Sequence, residues 1–331
     1  KKGYHILLEK PISNNLRECV AIGEYAQKYP QVFSVCHVLR YTKFFSTIKQ
    51  LLDSGRIGKL VSIQHNENVA FWHQAHSFVR GNWRNSDESS PMILAKCCHD
   101  MDILLWLTGS SCRRISSFGS LAFFNPGNAP QGAPKRCLDG CPVINECAYA
   151  APRIYLTENT GWPTSVISND TSREAREKAL REGPYGRCVF YCDNNVVDHQ
   201  VVNIEFENGV TAAFTMCAFT KDCCRTIKLM GTQGEIRASD KSNEIAISDF
   251  KTGTTEVIDI ERSEYGHGGG DYGIMHDFIK LVAENDGKKG LTAIDFSVQS
   301  HLMAFAAEQS RIEGKIIDLN EFGNAMQLPK D

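Results

Sequence analysis

Lys96, His99 and Asp102 follow one another at intervals of three in an otherwise apolar run from Pro91 to Leu107, a spacing that stacks them on one helix face. A histidine there can move a proton near neutral pH. A buried His–Asp pair that satisfies its own hydrogen bonds is the other reading of the same residues. Lys10 stands in Glu9-Lys10-Pro11, directly after the apolar run Tyr4 to Leu8. Open α/β sheets bind ligands at such strand ends, and a desolvated lysine can titrate at roughly 7–8 and serve as a base. A surface lysine before a turn would look the same.

Two further clusters carry chemistry. The segment Trp72 to Arg84 mixes His76, Trp83 and Arg84 with other rings and donors, a combination suited to a hydroxylated or carboxylated small molecule, because rings stack on sugar faces while Arg and His fix polar groups. A solvated loop anchored by its tryptophans is the alternative. Cys137, Cys141 and Cys147 are followed by Cys188 and Cys192. A loop without a core of its own needs a cross-link, so Cys137, Cys141, Cys147 and Cys188 are expected to hold a structural zinc ion, with Cys192 spare. An iron–sulfur cluster needs the same four thiolates, and free or disulfide-paired cysteines remain open.

The elements that must position these groups divide at a change of pattern. Tyr4–Leu8 reads as a strand stopped by Pro11, with a helix starting at Ser13 and ending before Pro30. Val32–Val38 reads as a strand and Phe44–Leu52 as a helix ended by Gly55. This β-α-β-α order is the second half of a doubly wound parallel sheet, assigned to residues 1–58. After Gly58, strands are predicted at Leu60–Asn68, Ile115–Phe123, Val197–Phe206, Thr211–Phe219, Thr226–Met230, Glu235–Ala238, Glu244–Asp249 and Glu256–Ile260. They form an α+β domain, residues 59–331, with a large and mostly antiparallel open sheet. Helices are predicted at Met92–Leu107, Tyr272–Glu284 and Ile294–Glu313. Residues 125–192 lose periodicity and form a Cys-rich insertion.

Composition narrows the partners. The 331 residues suggest about two domains. With 36 Lys plus Arg against 39 Asp plus Glu, the net charge of -3 leaves no basic surplus for nucleic acid. No apolar run approaches the roughly 20 residues that cross a bilayer, and Lys1 to Leu8 is no secretory signal. An odd 13 cysteines without a secretory context point to the cytoplasm. A large sheet with few helices to cover it predicts a homo-oligomer.

Taken together, His5-Ile6-Leu7-Leu8-Glu9-Lys10-Pro11, Leu39-Arg40-Tyr41, Gly55-Arg56-Ile57-Gly58, His99-Asp100-Met101-Asp102 and Met230-Gly231-Thr232-Gln233-Gly234-Glu235-Ile236 resemble, in order and spacing, the Gfo/Idh/MocA family of nicotinamide-dependent oxidoreductases. The resemblance implies hydride transfer between a secondary hydroxyl of a sugar, inositol or related polyol and NAD or NADP. It implies Lys10 and His99 as catalytic residues, Glu9, Lys10, Pro11 and Arg40 at the cofactor, and Lys96 and Asp102 at the substrate. His267, in the run Gly266 to Asp271, is expected on a substrate loop beside the contributions of His76, Trp83 and Arg84.

Two departures qualify this expectation. The family's Gly-x-Gly-x-x-Gly turn does not precede Glu9, and the first methionine is Met92, so the chain reads as starting inside a nucleotide-binding domain. Ala95 stands where many members carry an aspartate. Both leave open a ligand-sensing protein without turnover, and the family also admits NAD-dependent glycoside cleavage by transient oxidation.

Overall fold

Strand β1 is short, Ile6–Leu8, and pairs in parallel with β2, Phe33–Val35, with Leu7 opposite Ser34. The computed structural model describes residues 2–284 and 286–324. The helix between the two strands, Leu16–Gln27, is capped by Asn15, whose side chain accepts from the Glu18 amide at 3.2 Å. Ser13 had the right chemistry but sits two residues outside, donating to Glu18 Oε2 and accepting from the Asn15 amide. After β2 the chain makes a tight turn at Val38–Tyr41 and enters the helix Lys43–Asp53, capped by Thr42. Gly55, with φ of 72°, follows that helix in the left-handed region that glycine tolerates.

The second sheet has nine strands. They are β3 (Leu60–Ala70), β4 (Cys112–Ser120), β5 (His199–Phe206), β6 (Thr211–Thr220), β7 (Cys224–Gly231), β8 (Gly234–Ser239), β9 (Glu244–Asp249), β10 (Thr255–Asp259) and β11 (Ile317–Asp318). Their spatial order is β10-β9-β8-β7-β3-β6-β5-β4-β11, antiparallel except where β3 runs parallel to β6. This is the α/β arrangement expected, with β3 inserted at the centre. The two residues of β11 were too few to carry a period and escaped prediction.

Alternation sorts each strand. On β3, Ile63, His65, Glu67 and Val69 face inward and are buried, while Gln64 is exposed. The outward face carries exposed Phe118, Val201 and Phe219, but Gln64, Asn203 and Thr211 stand among them, so it is mixed rather than apolar. The inner face is covered by Cys98–Thr108, a helix buried almost all round, and by Ile294–Glu313. The latter helix also packs on Leu16–Gln27, and the Ser117 amide of β4 donates to its Ser310 Oγ at 2.9 Å.

Two expectations need correction. The helix predicted over Met92–Leu107 is broken into Met92–Ala95 and Cys98–Thr108, with Lys96 and Cys97 in a kink. The insertion is not coreless: it holds helices Ala151–Tyr155, Thr164–Ile167 and Arg173–Glu182. Tyr155, Leu180, Ala151 and Cys137 form one apolar cluster, and Phe124, Val189 and Phe190 pack with Ala75 and Val79 in another. The apolar residues were spread over too long a stretch to register as a period.

Leu16–Gln27 and Ile294–Glu313 touch most closely at Gly23, where an added Cβ would lie 2.7 Å from Val298 Cγ2. Gly23→Ala should therefore destabilise the fold by up to about 2 kcal/mol, because overpacking costs about 1–3 kcal/mol against a helix-propensity gain of about 1 kcal/mol. Urea denaturation measures the difference; wild-type stability would mean that the helices part freely.

Candidate active site

Lys10 leaves β1 and donates from Nζ to the Ala95 carbonyl at 3.1 Å. The kink at Lys96–Cys97 interrupts the helix just past that carbonyl. A backbone oxygen thus meets the ammonium at the position where the family resemblance implied a carboxylate. One turn on, His99 is buried. Burial, together with the positive field of Lys10, lowers its pKa well below the usual histidine value, so the ring is neutral at pH 7. Its Nδ1 is buried and without a hydrogen-bond partner.

His99 belongs to a group of imidazoles that the sequence reading missed. His37 lies edge-on 5.8 Å from His99, and His301 lies 5.5 Å from His37. His301 accepts from the Ile12 amide on Nε2 at 3.0 Å and donates from Nδ1 to the Ser297 carbonyl at 2.7 Å. One nitrogen accepts while the other donates, so this ring is neutral, and burial pushes its pKa down to about 3. On the open side, His267 stands 6.3 Å from His99 and hydrogen-bonds Asp271. His267 and Gly268 both have positive φ, and a Cβ on Gly270 would lie 2.4 Å from the Val38 carbonyl, which holds this segment against the Val38–Tyr41 turn.

Arg40 and Asp102, expected at the cofactor and the substrate respectively, are instead bound to each other. Arg40 donates from Nε and Nη2 to the two carboxylate oxygens, both at 2.7 Å, and from Nη1 to the Leu291 carbonyl at 2.9 Å. Its guanidinium lies over the Trp106 and Phe296 rings. Both side chains are buried.

Lys96 diverges from His99 because of the kink and joins a second buried network. Its Nζ is 3.4 Å from Glu67 Oε1, and Arg225 Nη2 is 2.7 Å from Glu67 Oε2. Arg225 also donates to both oxygens of Asp100, at 2.8 and 3.3 Å, and His65 Nε2 lies 2.8 Å from Asp100 Oδ1. Burial alone would raise the Asp100 pKa; Arg225 and His65 overcome it and hold the carboxyl below the ordinary range. Asp100 is a sequence candidate for the polarity missing at Ala95, whereas Glu67, Arg225 and His65 were not singled out from the sequence. The signal existed in β3, where period two places His65 and Glu67 on the same face as Ile63 and Val69.

Of the remaining expected residues, Glu9 and Pro11 flank Lys10 and the others lie elsewhere. Glu9 is exposed just past β1, next to the half-buried Lys10 and Pro11. His76 is buried against the insertion, hydrogen-bonded to the Tyr155 hydroxyl at 2.9 Å and stacked 4.9 Å from Tyr185. Arg84 binds both oxygens of Asp193 at 2.8 Å, and Trp83 is exposed. Cys137, Cys141, Cys147 and Cys188 line one cavity as free thiols. Among the described residues no group of three or more His, Cys, Asp or Glu is arranged to hold a metal ion, so the expected zinc site is not preformed.

The structure thus sets a strand-end lysine near a buried histidine on a broken helix, and a family model decides the assignment. The model for the oxidoreductase family's C-terminal alpha/beta domain matches residues 49–319. The chain belongs to the Gfo/Idh/MocA family. It is 22% identical over 293 residues to YteT of Bacillus subtilis, covering 83% of this chain and 66% of that protein. It is 24% identical over 128 residues to the 2,7-anhydro-N-acetylneuraminate hydratase of Escherichia coli, covering 38% and 33%. The chain thus spans two thirds or less of these curated relatives. A solved levoglucosan dehydrogenase in complex with NADH and levoglucosan superposes with a TM-score of 0.69 at 16% identity, over 96% of this chain and 74% of that one. An Agrobacterium radiobacter oxidoreductase in complex with NAD+, L-tartaric acid and magnesium gives 0.64 at 14% identity, over 96% and 73%. At such identities the Gfo/Idh/MocA likeness is one of fold. No described helix is long and apolar enough to cross a membrane.

Removing Arg225 leaves Glu67 and Asp100 buried without their main cation. Arg225→Met is expected to cost about 3–5 kcal/mol. Arg173→Ala, which removes an exposed partner of Glu177, should stay within about 0.5 kcal/mol. Chemical denaturation of both variants checks the contrast, and equal small losses would mean that water reaches the network.

Proposed function

We propose that this site, in the intact protein, oxidises a secondary hydroxyl of a sugar, inositol or related polyol. The observation that carries the reading is the Lys10 ammonium on the Ala95 carbonyl, one helical turn from a neutral His99 whose Nδ1 is unpartnered. NAD or NADP, when bound, supplies the acceptor for the hydride leaving the carbinol carbon. The residues present suit only the nicotinamide end of such a cofactor: Glu9, Lys10 and Pro11 stand at the carboxyl end of β1, where open sheets take ligands. Among the described residues the Gly-x-Gly-x-x-Gly spacing occurs at Gly268, Gly270 and Gly273, after a polar segment and not directly after a strand, so it is not the strand-to-helix turn that seats a pyrophosphate.

The protein's own part is proton handling and orientation. Lys10 donates a hydrogen bond to the substrate oxygen, and the hydroxyl proton passes to His99, which is neutral and able to receive it. Burial of the imidazole excludes water from this transfer. His267 borders the site on its solvent side and contacts the substrate, while Arg40 and Asp102 fix the backbone around it as positioning residues. Lys10→Ala or His99→Ala should lower turnover by roughly 10²–10⁴, with a much smaller change in the KM for the nicotinamide cofactor. Nicotinamide absorbance with a panel of polyols reads this directly. Full turnover in both variants would sink the roles, and ligand binding by the intact protein without any absorbance change would favour a sensor.

A second copy of the chain is proposed to cover the outward sheet face. Phe118 and Val201 are cross-strand partners there, 65% and 40% exposed, and form its most apolar point. Phe118→Glu should shift a dimer to monomer in light scattering; a wild-type monomer at micromolar concentration would overturn the proposal.

A further inference from the structure

Arg80 is 1% exposed, yet among the described residues no carboxylate lies within ion-pair distance of it. Its Nε donates to the Arg187 carbonyl at 2.7 Å and its Nη2 to the Tyr149 carbonyl at 2.7 Å, with Cys137 Sγ 3.7 Å away. Nη1 is buried and has no partner. A guanidinium cannot shed its proton to escape burial, so a full positive charge without a counter-ion stands against the insertion. The same side chain lines a cavity of about 20 Å3 whose wall also holds Cys137, Cys141, Cys147 and Cys188. That volume admits about one water-sized body. Apart from Arg80 and the four cysteines, the lining residues are apolar, aromatic or proline, which offers a water few strong partners.

We infer that Cys137, Cys141, Cys147 and Cys188 bind a thiophilic metal centre, zinc or an iron–sulfur cluster, with Arg80 as its counter-charge. Four thiolates on one Zn²⁺ carry two net negative charges, and four on a [4Fe–4S]²⁺ core carry the same, so either complements the buried guanidinium. Binding breaks four S–H bonds, forms four metal–sulfur bonds and releases four protons to solvent. All four cysteines line the cavity, yet among the described residues they do not form a preformed ion site, so binding requires their side chains to move. Cys137, Cys141 and Cys147 lie in successive turns outside any strand or helix, where side-chain rotation moves a sulfur without breaking a ladder. Cys192 is set apart, its Sγ 3.3 Å from the Cys188 carbonyl, and it does not line the cavity. The inference does not depend on the proposed oxidoreductase site.

Elemental analysis and labile-sulfide assay of the intact protein, purified anaerobically without chelator, test it. The expected result is close to one zinc per chain, or iron with an equal amount of sulfide. Cys192→Ser should keep the metal and a Cys137→Ser, Cys188→Ser double variant should lose it. Arg80→Met should lower affinity for added Zn²⁺ by about 10–100-fold, as loss of an outer-shell partner does. Less than about a tenth of an equivalent of either metal, with no uptake of added Zn²⁺ by the wild-type protein, would overturn the inference. So would a disulfide between any two of the four cysteines in the anaerobic preparation, or unchanged metal content in the double variant.

Discussion

The bidentate pair between Arg40 and Asp102 fixes the relation on which the rest of the site depends. Arg40 follows β2, and Asp102 lies on the helix that covers the nine-stranded sheet. Two charge-assisted bonds of 2.7 Å set both the distance and the rotation of that helix against the strand ends. A single bond would leave a hinge; the planar fork does not. The pair is buried among Trp106, Phe296 and the Leu291 carbonyl, so it is poorly screened and costly to break.

With that helix fixed, the kink at Lys96–Cys97 distributes three polar groups in different directions. The Ala95 carbonyl meets Lys10, Lys96 reaches Glu67, and His99 enters the imidazole cluster with His37 and His301. Had the helix run unbroken, Lys96 and His99 would share a face as their spacing suggests. The network of Glu67, Arg225, Asp100 and His65 then supports the helix from the sheet side. Charge on one side and neutral rings on the other leave His99 in an apolar, cationic surrounding that keeps it deprotonated.

The insertion is a separate construction on the same scaffold. It stands between β4 and β5, and its apolar clusters close against Ala75 and Val79. His76, Arg84 and Arg80 look in sequence like ligands for a small molecule. Tyr155, Asp193 and the Arg187 and Tyr149 carbonyls occupy them instead. Of these three, Arg80 is the one whose charge meets no carboxylate among the described residues.

The sequence by itself determined most of the elements and the family. Period-two strands from Leu60 onward, the turn at Gly55 to Gly58 and the helix Ile294–Glu313 were legible because local pattern and burial agree there. Lys10 and His99 were legible because strand ends and helix faces are local features. What only the tertiary structure decided was the assignment of partners. Arg40 and Asp102 lie 62 residues apart, and Arg225 and Asp100 lie 125 apart. No local period reports that two such charges will neutralise each other rather than wait for a ligand. The kink is of the same kind: its apolar flanks read as one helix, and the break follows from the bonds that Lys10 and Glu67 offer from elsewhere in the fold.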